Sequence, residues 1–67
     1  MSEYDPLWRY IQVNAEPHEI IDFDKAEEVS DVRIEPSFQE HTKELIEYGF
    51  KVERISWKHR WFEIRML

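Results

Sequence analysis

The stretch from Pro36 to Gly49, PSFQEHTKELIEYG, constrains the fold more than any other, because it carries a start signal, a stop signal and an apolar stripe between them. Ser37 stands three residues before Glu40, the spacing of a capping box. In that motif the hydroxyl takes the third helical amide and the carboxylate reaches back to the cap residue. Gly49 is the only glycine in the chain, and it sits where a helix end commonly turns left-handed at a penalty only glycine escapes. Phe38, His41, Thr42, Leu45 and Tyr48 recur at threes and fours and share a face, whereas Gln39, Glu40, Lys43, Glu44 and Glu47 fall elsewhere. A continuous helix over this stretch is the expectation.

The elements around it follow from the same kind of signal. Asp5 before Pro6 predicts an N-cap with proline at the first helical position, and Tyr4, Leu7, Trp8 and Ile11 then line one face until the loop Asn14 to His18. Glu19 to Phe23, EIIDF, reads as a short strand. Asp22 or Asp24 then caps a brief helix through Lys25 to Ser30 with Phe23, Ala26 and Val29 inward, and residues 31–35 connect it to the third helix. From Phe50 to Leu67 the pattern is a hairpin turning near Lys58 to Trp61. Val52 is out of step with Ile55, which calls for a bulge near Glu53 and Arg54. The expected fold class is α+β, one domain over residues 1–67, with three helices, a small antiparallel sheet and a C-terminal β-hairpin in winged-helix-like order.

Size and charge bound what such a domain does. With 67 residues and no cysteine, stability has to come from aromatic bulk, here three Trp, three Tyr and four Phe, rather than from disulfides or a thiolate zinc site. No apolar run reaches the roughly 20 residues that span a bilayer, and MSEYDPLW lacks the basic-then-apolar order of a signal peptide, so a cytoplasmic protein with no membrane contact is expected. Residues 1–50 hold thirteen acids against four bases, and residues 51–67 hold two acids against five bases. That division predicts an acidic helical body and a basic tail.

The segments YDPLWRYI, FDKAEEV and SFQEHTKELIEYGFKVERIS resemble, in that order, a family of small bacterial domains of unknown function. In that family a Tyr-Asp-Pro-Leu opening precedes a short helix and a glycine turn into a final hairpin. The resemblance covers about two thirds of the chain and implies a shared fold, with no catalytic residues to carry over. Asp31 stands where such sequences often have glycine, and the third helix is more acidic than a groove-reading helix.

Two constellations are candidates for function. Glu40, Glu44 and Glu47, with Glu27, Glu28 and Asp31, make an acidic face whose spacing imitates a nucleic-acid backbone for a protein partner that binds nucleic acid; the bland reading is a solvated surface. Lys58, His59, Arg60 and Trp61 at the hairpin tip, with Arg54, suit an aromatic-basic contact with phosphates or a protein, Trp61 being the more exposed indole; the bland reading is a soluble turn over a buried Trp57. Ile46, with Trp61, would form an exposed patch unless it packs on the first helix. His18, His41 and His59 are too scattered for a metal motif, and His41, on the apolar stripe, is expected to be partly buried with a hydrogen-bond partner. No nucleophile motif accompanies Ser30, Ser37 or Ser56, so neither catalysis, cofactor nor metal is expected.

The leading expectation is a non-enzymatic protein-interaction module, in its sharper form an inhibitor from a phage or mobile element that occupies the nucleic-acid surface of a bacterial defence nuclease of the CRISPR or restriction kind. The alternatives are a winged-helix DNA binder working through Lys58, Arg60 and Arg54, and a homodimer joined through the edge strand of the hairpin.

Overall fold

The computed structural model describes residues 2–67, an α+β arrangement of three helical segments over one face of a three-stranded antiparallel sheet. In chain order these are α1 (Asp5–Asn14), β1 (His18–Asp22), α2 (Phe23–Ser30), α3 (Phe38–His41) running on as a 3-10 segment (Thr42–Tyr48), β2 (Phe50–Ser56) and β3 (Trp61–Met66). The strand order is β1-β3-β2, so the last strand is central and the C-terminal hairpin supplies two of the three strands. The α+β class and the C-terminal hairpin are those expected.

α1 starts one residue earlier than its Asp-Pro signal suggests. Tyr4 is the cap residue without a side-chain bond, and Asp5 and Pro6 take the first two helical positions, where Pro6 lacks only an amide that would have no partner. Asp22 caps α2 as its side chain accepts the Lys25 N–H at 2.7 Å. α2 ends on Asp31 in the left-handed region, φ 59, the conformation usually given to glycine.

The third helix is not the continuous α-helix its signals suggest. Ser37 is itself helical, φ −63 and ψ −18, which aims its hydroxyl away from the first amides, and the capping box does not form. The N–H groups of Phe38, Gln39 and Glu40 instead reach the carbonyls of Glu35, Pro36 and Ser37, so tight backbone turns satisfy them. Beyond His41 the chain stays tight because Thr42, Leu45 and Tyr48 are spaced at three, the period at which side chains of a 3-10 helix eclipse, and all three face inward to some degree. The Thr42 hydroxyl donates to the Gln39 carbonyl at 2.9 Å across the junction. Gly49 ends the segment at φ 90.

The strands show the expected bulge: Val52 pairs with Ile64 and Arg54 with Glu63, leaving Glu53 as the extra residue and letting Val52 and Ile55 both face the helices. Phe38 is the centre of the core. Its ring lies 5.1 Å from that of Tyr4, 5.7 Å from Trp8 and 5.3 Å from Phe62, and all four are almost wholly buried. Leu7, Ile11, Ile21, Phe23, Ala26, Ile34, Leu45, Phe50 and Ile64 complete the core. Tilted aromatic packing thus joins α1, α3 and β3, with Tyr4 edge-on to Phe38 just before α1.

A candidate interaction surface between the third helix and the hairpin

The turn Trp57–Arg60 connects β2 to β3 one residue earlier than expected, closed by Arg60 at φ 59. That shift reverses the indoles. Trp57, in the turn, is 38% exposed and packs edge-on against Phe23 at 5.3 Å, whereas Trp61, on the outer face of β3, is partly covered by the Arg54 guanidinium 5.7 Å from its ring. Trp57 is therefore the more exposed indole, and Ile55 stands opposite Phe62.

Trp57 forms one wall of an open groove of about 370 Å³ between the third helix and β2, whose other lining includes Gln39, Thr42, Val52, Arg54 and Ile55. The Glu53 bulge lies on the β2 side of the groove, and Gln39 and Thr42 line it from the third helix. Lys58 and His59, exposed beside Trp57, make no ion pair with any described residue.

The rest of the basic tail is not free. Arg60 reaches back to α2, donating to Asp24 at 3.1 Å and Glu27 at 3.4 Å, and lies over the Phe23 ring at 5.5 Å. Arg54 donates to Glu63 at 3.1 Å, and Arg65 and Lys51 both meet Glu53. The sharp separation of an acidic body from a basic tail is thus lost on folding, since antiparallel pairing and the return of the turn onto α2 bring opposite charges together. Across the open sheet face, Glu63 on the central strand bridges His18 of β1 and Arg54 of β2. The His18 hydrogen bond foremost, opposed by partial desolvation and aided by Arg54, holds the Glu63 carboxyl below its usual range.

The acidic face also divides. Glu44 is a structural hub rather than a surface charge: it accepts from the Ser2 hydroxyl at 2.5 Å, the Trp8 indole at 2.9 Å and, through its second oxygen, sits 2.9 Å from Nδ1 of His41. Desolvation pushes its carboxyl up, but the hydrogen bonds from Ser2, His41 and Trp8, with the charge of His41, outweigh this and bring it down to about 2. His41 is accordingly half-buried and partnered. Glu27 takes the Ile34 N–H at 2.9 Å as well as Arg60, so it too holds the fold. Glu40, Glu47 and Asp31 are exposed and make no ion pair with a described residue, and Glu28 only approaches Lys25 at 4.0 Å. Ile46, in the same segment, is 54% exposed.

The hub and the groove are where residue-by-residue reading falls short. Glu44 looks like any helix-surface acid until Ser2 and Trp8, 42 and 36 residues away in sequence, are brought against it. Its one local signal is His41, three residues earlier on the apolar stripe. Gln39 and Thr42 gave no sign of lining a surface. Among the described residues no group of three or more metal-ligating side chains assembles, and no helix is long and apolar enough to cross a membrane. No family model, curated protein or solved structure matches the chain.

Proposed function

We propose that the chain is a small non-enzymatic protein-interaction module that engages its partner through the Trp57 groove and hairpin tip on one side and the free acids of the third helix on the other. In its sharper form it is an inhibitor from a phage or mobile element that sits on the nucleic-acid-binding surface of a bacterial defence nuclease of the CRISPR or restriction kind. The observation that carries the reading is the Trp57 indole. In a fold that buries Tyr4, Trp8, Phe23, Phe38 and Phe62 almost completely, one large ring is left exposed over an open groove. An exposed tryptophan bordering a concave surface is the composition of an interface anchor. The unpaired carboxylates of Glu40 and Glu47 suit a basic partner, and Lys58 and His59 form a polar rim beside the ring.

Capture from bacterial lysate, followed by measuring whether the captured nuclease loses duplex DNA binding, tests the reading. The informative variants are Trp57→Ala and the double change Glu40→Gln with Glu47→Gln; Glu44 is left intact because it supports the core. Each variant is expected to weaken capture at least about tenfold and to relieve inhibition. Equal capture by the double variant would eliminate the charge-decoy form, and equal capture by Trp57→Ala would remove the groove.

A DNA-binding wing is the second reading, favoured by the absence of ion pairs on Lys58 and His59. Two of its three cations, Arg54 and Arg60, already satisfy carboxylates of the same chain, which leaves little positive charge to release counterions from a duplex.

A further inference from the structure

β1 is an edge strand whose outward side meets no other strand, and its hydrogen-bonding phase can be read from the flanking bonds. At one end the Met66 N–H donates to the Pro17 carbonyl, and at the other the Phe23 N–H donates to the Arg60 carbonyl. Both residue pairs continue the β1–β3 register in which His18 faces Arg65 and Asp22 faces Trp61. Hydrogen-bonded pairs alternate along an antiparallel ladder, so Glu19 and Ile21 direct their backbone groups to β3. The N–H and C=O of His18 and Ile20, and the N–H of Asp22, therefore point away from the sheet.

We infer that β1 is the contact strand of a weak symmetric homodimer, in which two copies pair β1 antiparallel about Ile20 and join their sheets edge to edge. The strand His18-Glu19-Ile20-Ile21-Asp22 is self-complementary in that register. Ile20 meets Ile20 of the second copy, and the two exchange both backbone bonds. Each Asp22 N–H meets a His18 carbonyl of the other copy, while the His18 imidazole keeps its Glu63 partner and the Asp22 carboxylate keeps the Lys25 N–H, so the pairing is carried by backbone bonds and by Ile20. The His18, Ile20 and Asp22 side chains share the outer face of the sheet, where Ile20 is 55% exposed and where pairing covers it.

The hairpin edge does not offer the same template. On β2 the Glu53 bulge breaks the regular alternation that a second strand would have to follow, and this strand packs beside the third helix. β1 carries no bulge and no lysine, and Pro17 just before it and Glu19 and Asp22 within it are the residues that limit its edge. Five residues a side make a small interface of the transient kind, with half-association expected at about 0.1–1 mM.

Sedimentation equilibrium of the full chain from about 20 μM to about 2 mM tests the inference, with the average mass expected to climb from 8.3 kDa toward twice that value. Ile20→Pro is the diagnostic variant. It removes an amide that the intact fold does not use, as edge strands tolerate, and is expected to stay monomeric at every concentration with its circular dichroism unchanged. Concentration-dependent hydrogen exchange on the unmodified chain gives an independent readout. The His18, Ile20 and Asp22 amides are expected to slow about tenfold at the highest concentration, with Val52 and Ile55 unaffected. A constant monomer mass at about 2 mM, or protection appearing on β2 instead of β1, would overturn the proposal. Neither result bears on the Trp57 groove, which lies on the other side of the sheet order.

Discussion

The Trp8 indole N–H donates to Glu44 at 2.9 Å, so the largest buried ring of α1 is fixed by a carboxylate of the third helix. The same carboxylate also holds Ser2 and His41, which makes it a polar tie between the chain's start and the segment that precedes the hairpin.

Glu44→Ala leaves the Trp8 donor inside the core without a partner. A buried unsatisfied N–H costs about 1–3 kcal/mol, which in a domain this small lowers the melting temperature by roughly 5–20 °C. Thermal unfolding followed by tryptophan fluorescence measures it. A melting temperature within a degree or two of the parent would mean the carboxylate contributes nothing to the core.

The same residue sets an acid limit. Its folded-state value of about 2 lies below its ordinary value of 4.5, so its contribution is complete above about pH 4.5 and disappears as pH falls toward 2. Solvent reaches part of the site, and the contribution is about 1–2 kcal/mol once screening is allowed for. Urea unfolding between pH 6 and pH 2 is expected to show a decline that is shallower in Glu44→Ala by that amount.

Phe38→Ala removes the ring that Tyr4, Trp8 and Phe62 all pack against. Phe→Ala in a core costs about 3–5 kcal/mol, a large part of what a domain of this size possesses. The variant is expected to lose the near-ultraviolet circular dichroism of the aromatic cluster at 25 °C, whereas Phe38→Leu keeps a folded chain.

Asp31 and Gly49 both occupy the left-handed region, at φ 59 and φ 90. Asp31→Gly relieves the Cβ penalty and is expected to stabilise by up to about 1 kcal/mol. Gly49→Ala, which meets no neighbouring atom within 4 Å, is expected to cost about 1–2 kcal/mol through backbone strain alone. Opposite signs at the two sites in denaturant midpoints check the pair.

Anisotropy of a labelled duplex at about 50 mM salt is expected to show no saturable binding below about 10 μM protein, because Arg54 and Arg60 are already neutralised. Binding that weakens steeply with added salt and is lost in Lys58→Ala would make the wing reading the correct one.

Local chemistry by itself determined much of this protein. An aspartate cap on α2, at Asp22 of the two candidates Asp22 and Asp24, Gly49 as a left-handed stop, the bulge between Val52 and Arg54 and the α+β succession each depend on neighbours a few residues apart, and each is present in the fold. The capping box at Ser37 and Glu40 was equally local but lost to a tertiary preference: the chain enters the third helix through tight turns that seat Phe38 in the core. Only the tertiary structure decided which charges are free, because Glu44 meets Ser2 and Trp8, and Arg60 meets Asp24 and Glu27, across more than thirty residues of chain. It also decided which indole is exposed, since a turn displaced by one residue carries Trp57 off the strand and leaves Trp61 on it. Strand parity changes with every residue, so a one-position shift in a turn, invisible to composition and spacing, is enough to exchange the two rings.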